Sequence, residues 1–131
     1  MSISINCLAV TLASLVVLMQ VVFGALELFA PHRTFNLVFA SSHDNSADPL
    51  WFQTGQLARN MGLYNWFIAL GLLLSLTGPL GGASASFFLL CVGAAGAYGL
   101  FSVSRFWAFW AQLALGLATC AVFQLSGRVT G

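Results

Sequence analysis

Four nearly uninterrupted apolar runs, at about 7–29, 57–77, 84–104 and 106–125, constrain this chain more than any other feature. A bilayer's hydrocarbon core is about 30 Å thick and a helix rises about 1.5 Å per residue, so about 20 apolar residues suffice to cross it. Each run meets that length. The runs are continuous rather than alternating, and in lipid only helices or closed barrels satisfy their own backbone groups, so helices are expected rather than strands. The expected fold is therefore an all-α, integral membrane four-helix bundle, a single transmembrane domain over residues 1–131. Gly78, Pro79, Gly81 and Gly82 form a breaker-rich turn between the second and third runs, and only Ser104 and Arg105 separate the third from the fourth. Such short connections make consecutive helices antiparallel neighbours. One longer polar loop, about 30–56, joins helices one and two. Phe35, Leu37, Val38 and Phe39 beside Arg33, and Trp51 with Phe52, read as segments lying at the membrane interface on either side of that loop. The first run is too long for the apolar region of a signal peptide, and residues 1–6 carry no basic side chain, so it is expected to remain as a span.

Composition supports the same solvent. Hydrophobic residues make up 60% of the 131 positions and charged residues 5%, against about 25% charged in soluble domains. A formal net charge of +1, without a single lysine, offers no surface able to neutralise a run of phosphates, so nucleic acid is excluded as a partner. The lipid bilayer is the expected one, joined by a second copy of the chain or another membrane protein. With four spans, Arg33, Arg59 and Arg105 share one side and Arg128 stands on the other. The positive-inside rule then places loops 1–2 and 3–4 in the cytoplasm and both termini outside the inner membrane.

The few polar groups within the runs gather at one level. Glu27 closes the first run, Arg59 and Asn60 open the second with Tyr64 and Asn65 one turn deeper, and Tyr98 and Gln112 each stand seven residues from Arg105. The helical rise puts all of them within roughly 10 Å of one membrane surface. Gln20 and Glu27, Asn60 and Tyr64, and Gln112 and Thr119 are spaced to share a helix face. An intramembrane carboxylate is costly unless it faces the interior and finds partners. The expected object is a polar layer between the helices, with Glu27 facing Arg59 or hydrogen-bonded by Asn60, Tyr64 or Gln112. The same layer could equally be packing glue without a ligand.

Gly93, Gly96 and Gly99 give the third helix a small-residue surface suited to close backbone approach, either within the chain or at a dimer seam. Trp107 and Trp110, with Phe106, form an aromatic belt. Three cysteines make an odd number without a C-x-x-C pair; Cys91 and Cys120 share a depth and are expected as neighbouring packing residues. His32, His43, Asp44 and Asp48 in or beside the loop lack ligand spacing, so no metal and no cofactor is expected. Zinc-peptidase, nucleophile-elbow, phosphate-loop and dinucleotide motifs are all absent from the sequence.

Asn60-Met-Gly-Leu-Tyr-Asn65, with Leu26-Glu27-Leu28-Phe29 upstream, Ala95-Gly-Ala-Tyr-Gly99 in the third helix and Gln112 in the fourth, resembles a small bacterial membrane family, domain of unknown function 1304. The resemblance extends over nearly the whole chain. It departs at Met61, where the family pattern has Gln, and near Ala114 and Leu115, where it has Pro. It implies a four-helix integral membrane protein without an assigned activity.

Three functions compete. The leading one is a non-enzymatic ligand- or lipid-binding or accessory bundle, motivated by the polar layer and the lack of catalytic motifs. The second is a small dimeric proton-coupled transporter, which would place its exchanging carboxylate nearer the midplane than Glu27. The third is a membrane-embedded enzyme on a lipid-like substrate, using Glu27 as acid or base oriented by Asn60, Tyr64 and Gln112.

Overall fold

The computed structural model describes residues 2–39, 49–78, 80–102 and 107–129. Its regular structure is entirely helical: α1 (Ser2–Phe29), α2 (Pro31–Phe39), α3 (Pro49–Leu76), α4 (Gly81–Ser102) and α5 (Trp107–Val129). No strand occurs among the described residues.

Two helices depart from the expected layout. The first half of the expected loop contains α2, set off from α1 by Ala30 alone. Pro31, which lacks an N–H, suits the first helical position, and the Thr34 hydroxyl donates to the carbonyls of Leu26 and Ala30, both at 3.1 Å. The same two carbonyls also accept the Ala30 and Thr34 backbone N–H groups, at 2.9 and 3.0 Å, so hydrogen bonding continues through the junction between α1 and α2. The second departure is α3, which opens at Pro49 rather than near 57. Its first two turns are too polar to announce themselves by periodicity; packing on α2 holds them. The Trp51 ring stacks on His32 with centroids 3.9 Å apart and planes 6° from parallel. One turn on, a Cβ at Gly55 would lie 2.8 Å from His32 Cε1, so only glycine leaves room for the imidazole.

Between α3 and α4 the chain reverses at Gly78 (φ 110) and Gly81 (φ 75), a left-handed backbone that side-chain-bearing residues adopt only at a cost. Helix α1 packs against α3 and α5, α4 packs against α5 and α3, and α2 lies on α3 and α1. Val16, Leu72, Leu89, Val92 and Cys120 form the core where the four long helices meet. The α4–α5 contact is close enough for backbone to touch backbone. A Cβ on Gly96 would fall 2.5 Å from the Leu113 nitrogen, and one on Gly116 would fall 2.6 Å from the Gly93 nitrogen. The glycine surface of the third run is thus spent inside the chain.

The core is small and the outside is oily. Large apolar side chains such as Leu18, Phe67, Phe87 and Phe101 stand exposed, Phe101 at 94%, and a protein surrounded by water rarely exposes apolar patches on this scale. Ile5–Phe29, Gly81–Ser102 and Trp107–Gly127 are each long and apolar enough to cross a membrane. Helix α3 has the length, 28 residues, but Arg59, Asn60 and Asn65 dilute its apolar character, and it is not among these three.

Candidate functional site

The conspicuous polar contact lies where α1 crosses α3. Glycine sits on both sides of the crossing: a Cβ on Gly62 would lie 2.8 Å from the Gly24 carbonyl oxygen, and one on Gly24 would lie 2.8 Å from that of Gly62. Without side chains at these points the two backbones approach closely, as small residues permit between helices in lipid. Three residues on, each glycine is followed by a polar partner facing the other helix. Asn65 Nδ2 donates to Glu27 Oε2 at 2.7 Å, a short, charge-assisted geometry. On the other flank, Trp66 Nε1 donates to the Val21 carbonyl at 3.1 Å, and Phe29 meets the Trp66 ring at 6.2 Å. Glu27 and Asn65 are both half-buried.

The partner of Glu27 differs from every one expected. It is Asn65, not Arg59, Asn60, Tyr64 or Gln112. Asn60, Tyr64 and Tyr98 point to the outside of the helices, with Tyr64 66% and Tyr98 73% exposed. Since successive helical residues turn by about 100°, Asn65 and Gly62 on the inner face of α3 leave Tyr64 turned away from it. Arg59 is exposed as well. Gln112 is buried, but against Gly96 of α4: an added Cβ there would lie 2.9 Å from its own Cβ. Gln20 and Thr119 are buried too, and Gln20 Oε1 and Thr119 Oγ1 have no hydrogen-bond partner. Of the polar residues weighed from the sequence, Gln20, Glu27, Asn65, Gln112 and Thr119 face inward, and among these five the Glu27–Asn65 pair closes into a side-chain bond across helices. Sequence reasoning missed Gly24, Gly62 and Trp66; the signal available was the repeated spacing, Gly24-x-x-Glu27 on one helix and Gly62-x-x-Asn65 on the other.

A second interhelical clasp joins α4 and α5, where Gln124 Nε2 donates to Ser86 Oγ at 2.8 Å and the Cys120 thiol approaches the Ser86 carbonyl at 3.8 Å. Cys120 thus pairs in height with Ser86, more than a turn of α4 away from Cys91. The contact recorded for the Cys120 thiol is with Ser86, five positions before Cys91 on α4. Cys7, Cys91 and Cys120 are free thiols, and no group of three His, Cys, Asp or Glu side chains among the described residues could hold a metal. His43, Asp44, Asp48, Arg105 and Phe106 lie outside the described residues.

Among the described residues, two surface crevices bear on the site. One, about 470 Å³, is lined by Phe29, Ala30, Pro31, His32, Arg33 and Arg59, where α1, α2 and α3 meet. The other, about 300 Å³, lies between α4 and α5 beside Ser86 and Gln124. Glu27 and Asn65 line neither.

Helices of this length and oiliness, clasped by polar bonds, define an all-α protein with three segments long and apolar enough to cross a membrane. The chain belongs to the family described as "Protein of unknown function (DUF1304)", whose pattern matches residues 14–124, a stretch containing both glycines of the crossing, Glu27, Asn65, Tyr98 and Gln112. No curated protein and no solved structure matches it.

Proposed function

We propose that the protein is a multi-pass component of the bacterial inner membrane in which α1, α3, α4 and α5 each cross the bilayer as an antiparallel four-helix bundle, and that it acts without catalysis, as a lipid-binding or accessory unit. The observation that carries the non-enzymatic reading is the state of Glu27. Its carboxylate accepts a hydrogen bond from Asn65 beside a glycine crossing, and it lines neither crevice. A transporter or an enzyme would need that carboxylate presented to a passage or a substrate. As a helix clasp it needs only its partner.

Helix α3 is the fourth span in this reading. Its pairing with α1 favours that: Gly62 meets Gly24 and Trp66 meets Val21, so α3 climbs as α1 descends. Arg33, Arg59 and Arg105 put both intervening loops in the cytoplasm and both termini outside. The test is single-cysteine labelling on a cysteine-free background, at Ser2, Ser46 and Thr130, with a membrane-impermeant maleimide applied to spheroplasts. Labelling of Ser2→Cys and Thr130→Cys in intact spheroplasts, with Ser46→Cys reached only after permeabilisation, is the expected result. Termini found on opposite faces would mean an odd number of spans and end the four-span reading.

A further inference from the structure

The crevice between α1, α2 and α3 gathers half of the molecule's basic side chains in one place. Of four arginines in the whole chain, Arg33 from α2 and Arg59 from α3 both line it, although 26 positions separate them in sequence. Both are exposed, and neither has an ion-pair partner among the described residues. The described carboxylate, Glu27, is held by Asn65 and is not in the wall. Two like charges in the wall of one crevice repel each other. A third wall residue is also unsatisfied: His32 Nδ1 is buried without a hydrogen-bond partner, its ring pinned in place by the Trp51 stack.

The position of the crevice says what would fill it. It begins at Phe29, the last residue of the first membrane-spanning segment, so it lies at headgroup level, just beyond the hydrocarbon. Helix α2, which forms one side, is short and amphipathic, the form of a helix lying in the interface. Phe29 in its wall is an exposed apolar side chain, and Leu37, one turn beyond Arg33 on α2, and Phe52, two turns before Arg59 on α3, are exposed as well. Positive charge in the cleft, bordered by oil-facing aromatic and aliphatic groups, is complementary to one kind of molecule.

We infer that the α1–α2–α3 crevice binds the phosphate of an anionic phospholipid, with Arg33 and Arg59 donating to its non-bridging oxygens and the acyl chains running down past Phe29. Guanidinium forks match phosphate oxygens two at a time, and about 470 Å³ falls within the usual size of a small-ligand site, ~300–1,000 Å³. The inference rests on the lipid-binding reading above and gives it a place and a headgroup class.

The test uses the full-length protein in detergent, exchanged into mixed micelles holding equal amounts of phosphatidylglycerol and phosphatidylcholine. Retained lipid is counted by native mass spectrometry. Each arginine near anionic lipid contributes about fivefold in affinity, so the pair predicts a preference for phosphatidylglycerol of about 10- to 30-fold. Arg33→Gln with Arg59→Gln should bring the preference within about twofold of unity, each single change should fall between, and Arg128→Gln should leave it intact. Arg33→Lys with Arg59→Lys, which keeps the charge, should keep part of it and guards against a simple folding defect; circular dichroism checks the helices in every variant. Equal retention of the two lipids by the native protein, or a preference that survives the double glutamine change, overturns the inference. So does release of the lipid by millimolar inorganic phosphate or by an acidic peptide, which would assign the cleft to a free anion or a protein segment. A protein that labels as a four-span bundle yet shows no lipid preference loses this inference alone, whereas termini on opposite faces leave the lipid count to be read on its own.

Discussion

Replacing Gly62 by alanine tests the α1–α3 crossing directly. The new methyl group would lie 2.8 Å from the Gly24 carbonyl oxygen, 2.9 Å from Leu28 Cγ and 3.1 Å from Glu27 Cβ. The leucine can swing aside, but the carbonyl belongs to the backbone of α1. Restoring an ordinary contact of about 3.4 Å opens the helices by about 0.6 Å, the difference from 2.8 Å. The same opening stretches the Asn65–Glu27 bond from 2.7 Å to about 3.3 Å, beyond the useful range of an N–H···O bond. Overpacking costs about 1–3 kcal/mol and an interhelical bond in lipid about 0.6–1.7 kcal/mol, while alanine returns about 1 kcal/mol in helix propensity. The net is a loss of about 0.6–3.7 kcal/mol. Gly82→Ala is the matched control, since its Cβ meets nothing closer than Phe123 Cε1 at 3.5 Å. Unfolding of the full-length protein in mixed micelles by rising dodecyl sulfate fraction, followed by circular dichroism, reads both. If Gly62→Ala unfolds at or above the native midpoint, the close crossing is not what holds these helices together.

Three further outcomes follow from the same geometry. Glu27→Ala and Asn65→Ala should each destabilise, and their double-mutant cycle should show a coupling of about 0.6–1.7 kcal/mol; additive effects would mean that the 2.7 Å contact contributes nothing. Gly81→Ala should cost about 1–2 kcal/mol from its positive φ alone, because no atom lies within 4 Å of its Cβ position, and a neutral result by sulfate unfolding would refute the backbone argument. Trp51→Ala removes the ring stacked on His32, with a loss of about 0.5–1.5 kcal/mol. It should appear as faster hydrogen exchange in α2, and unchanged exchange there would show that the stack does not hold the helix.

Apolarity told where the oily helices run, because length against bilayer thickness is a strong constraint and needs no partner information. The carboxyl-terminal limits of α1 and α3, near Phe29 and Leu76, fall at the ends of apolar runs for that reason. The amino-terminal turns of α3 were hidden, since Gln53, Thr54 and Gln56 resemble loop residues and become helical through contacts with a helix that is itself too short to show a period. In the site, sevenfold spacing correctly put Gln20 with Glu27, and Gln112 with Thr119, on inward faces. It failed for Asn60 and Tyr64, because a spacing states that two residues share a face and not which face. What decides is the glycine that lets the neighbouring backbone in, and Gly62 orients Asn65 rather than Tyr64. The register that sets Cys120 beside Ser86 depends on the Gly93–Gly116 contact, which two separate helix sequences do not display.

The bonds across helices fall in a particular way. Asn65 to Glu27 and Trp66 to Val21 stitch α1 to α3; Gln124 and Cys120 to Ser86 stitch α5 to α4. Among the described residues, Val16, Leu72, Leu89 and Cys120 meet across the boundary between these two halves through apolar contact. Greased surfaces tolerate small sliding that a directional bond does not, so the boundary is a natural shear plane.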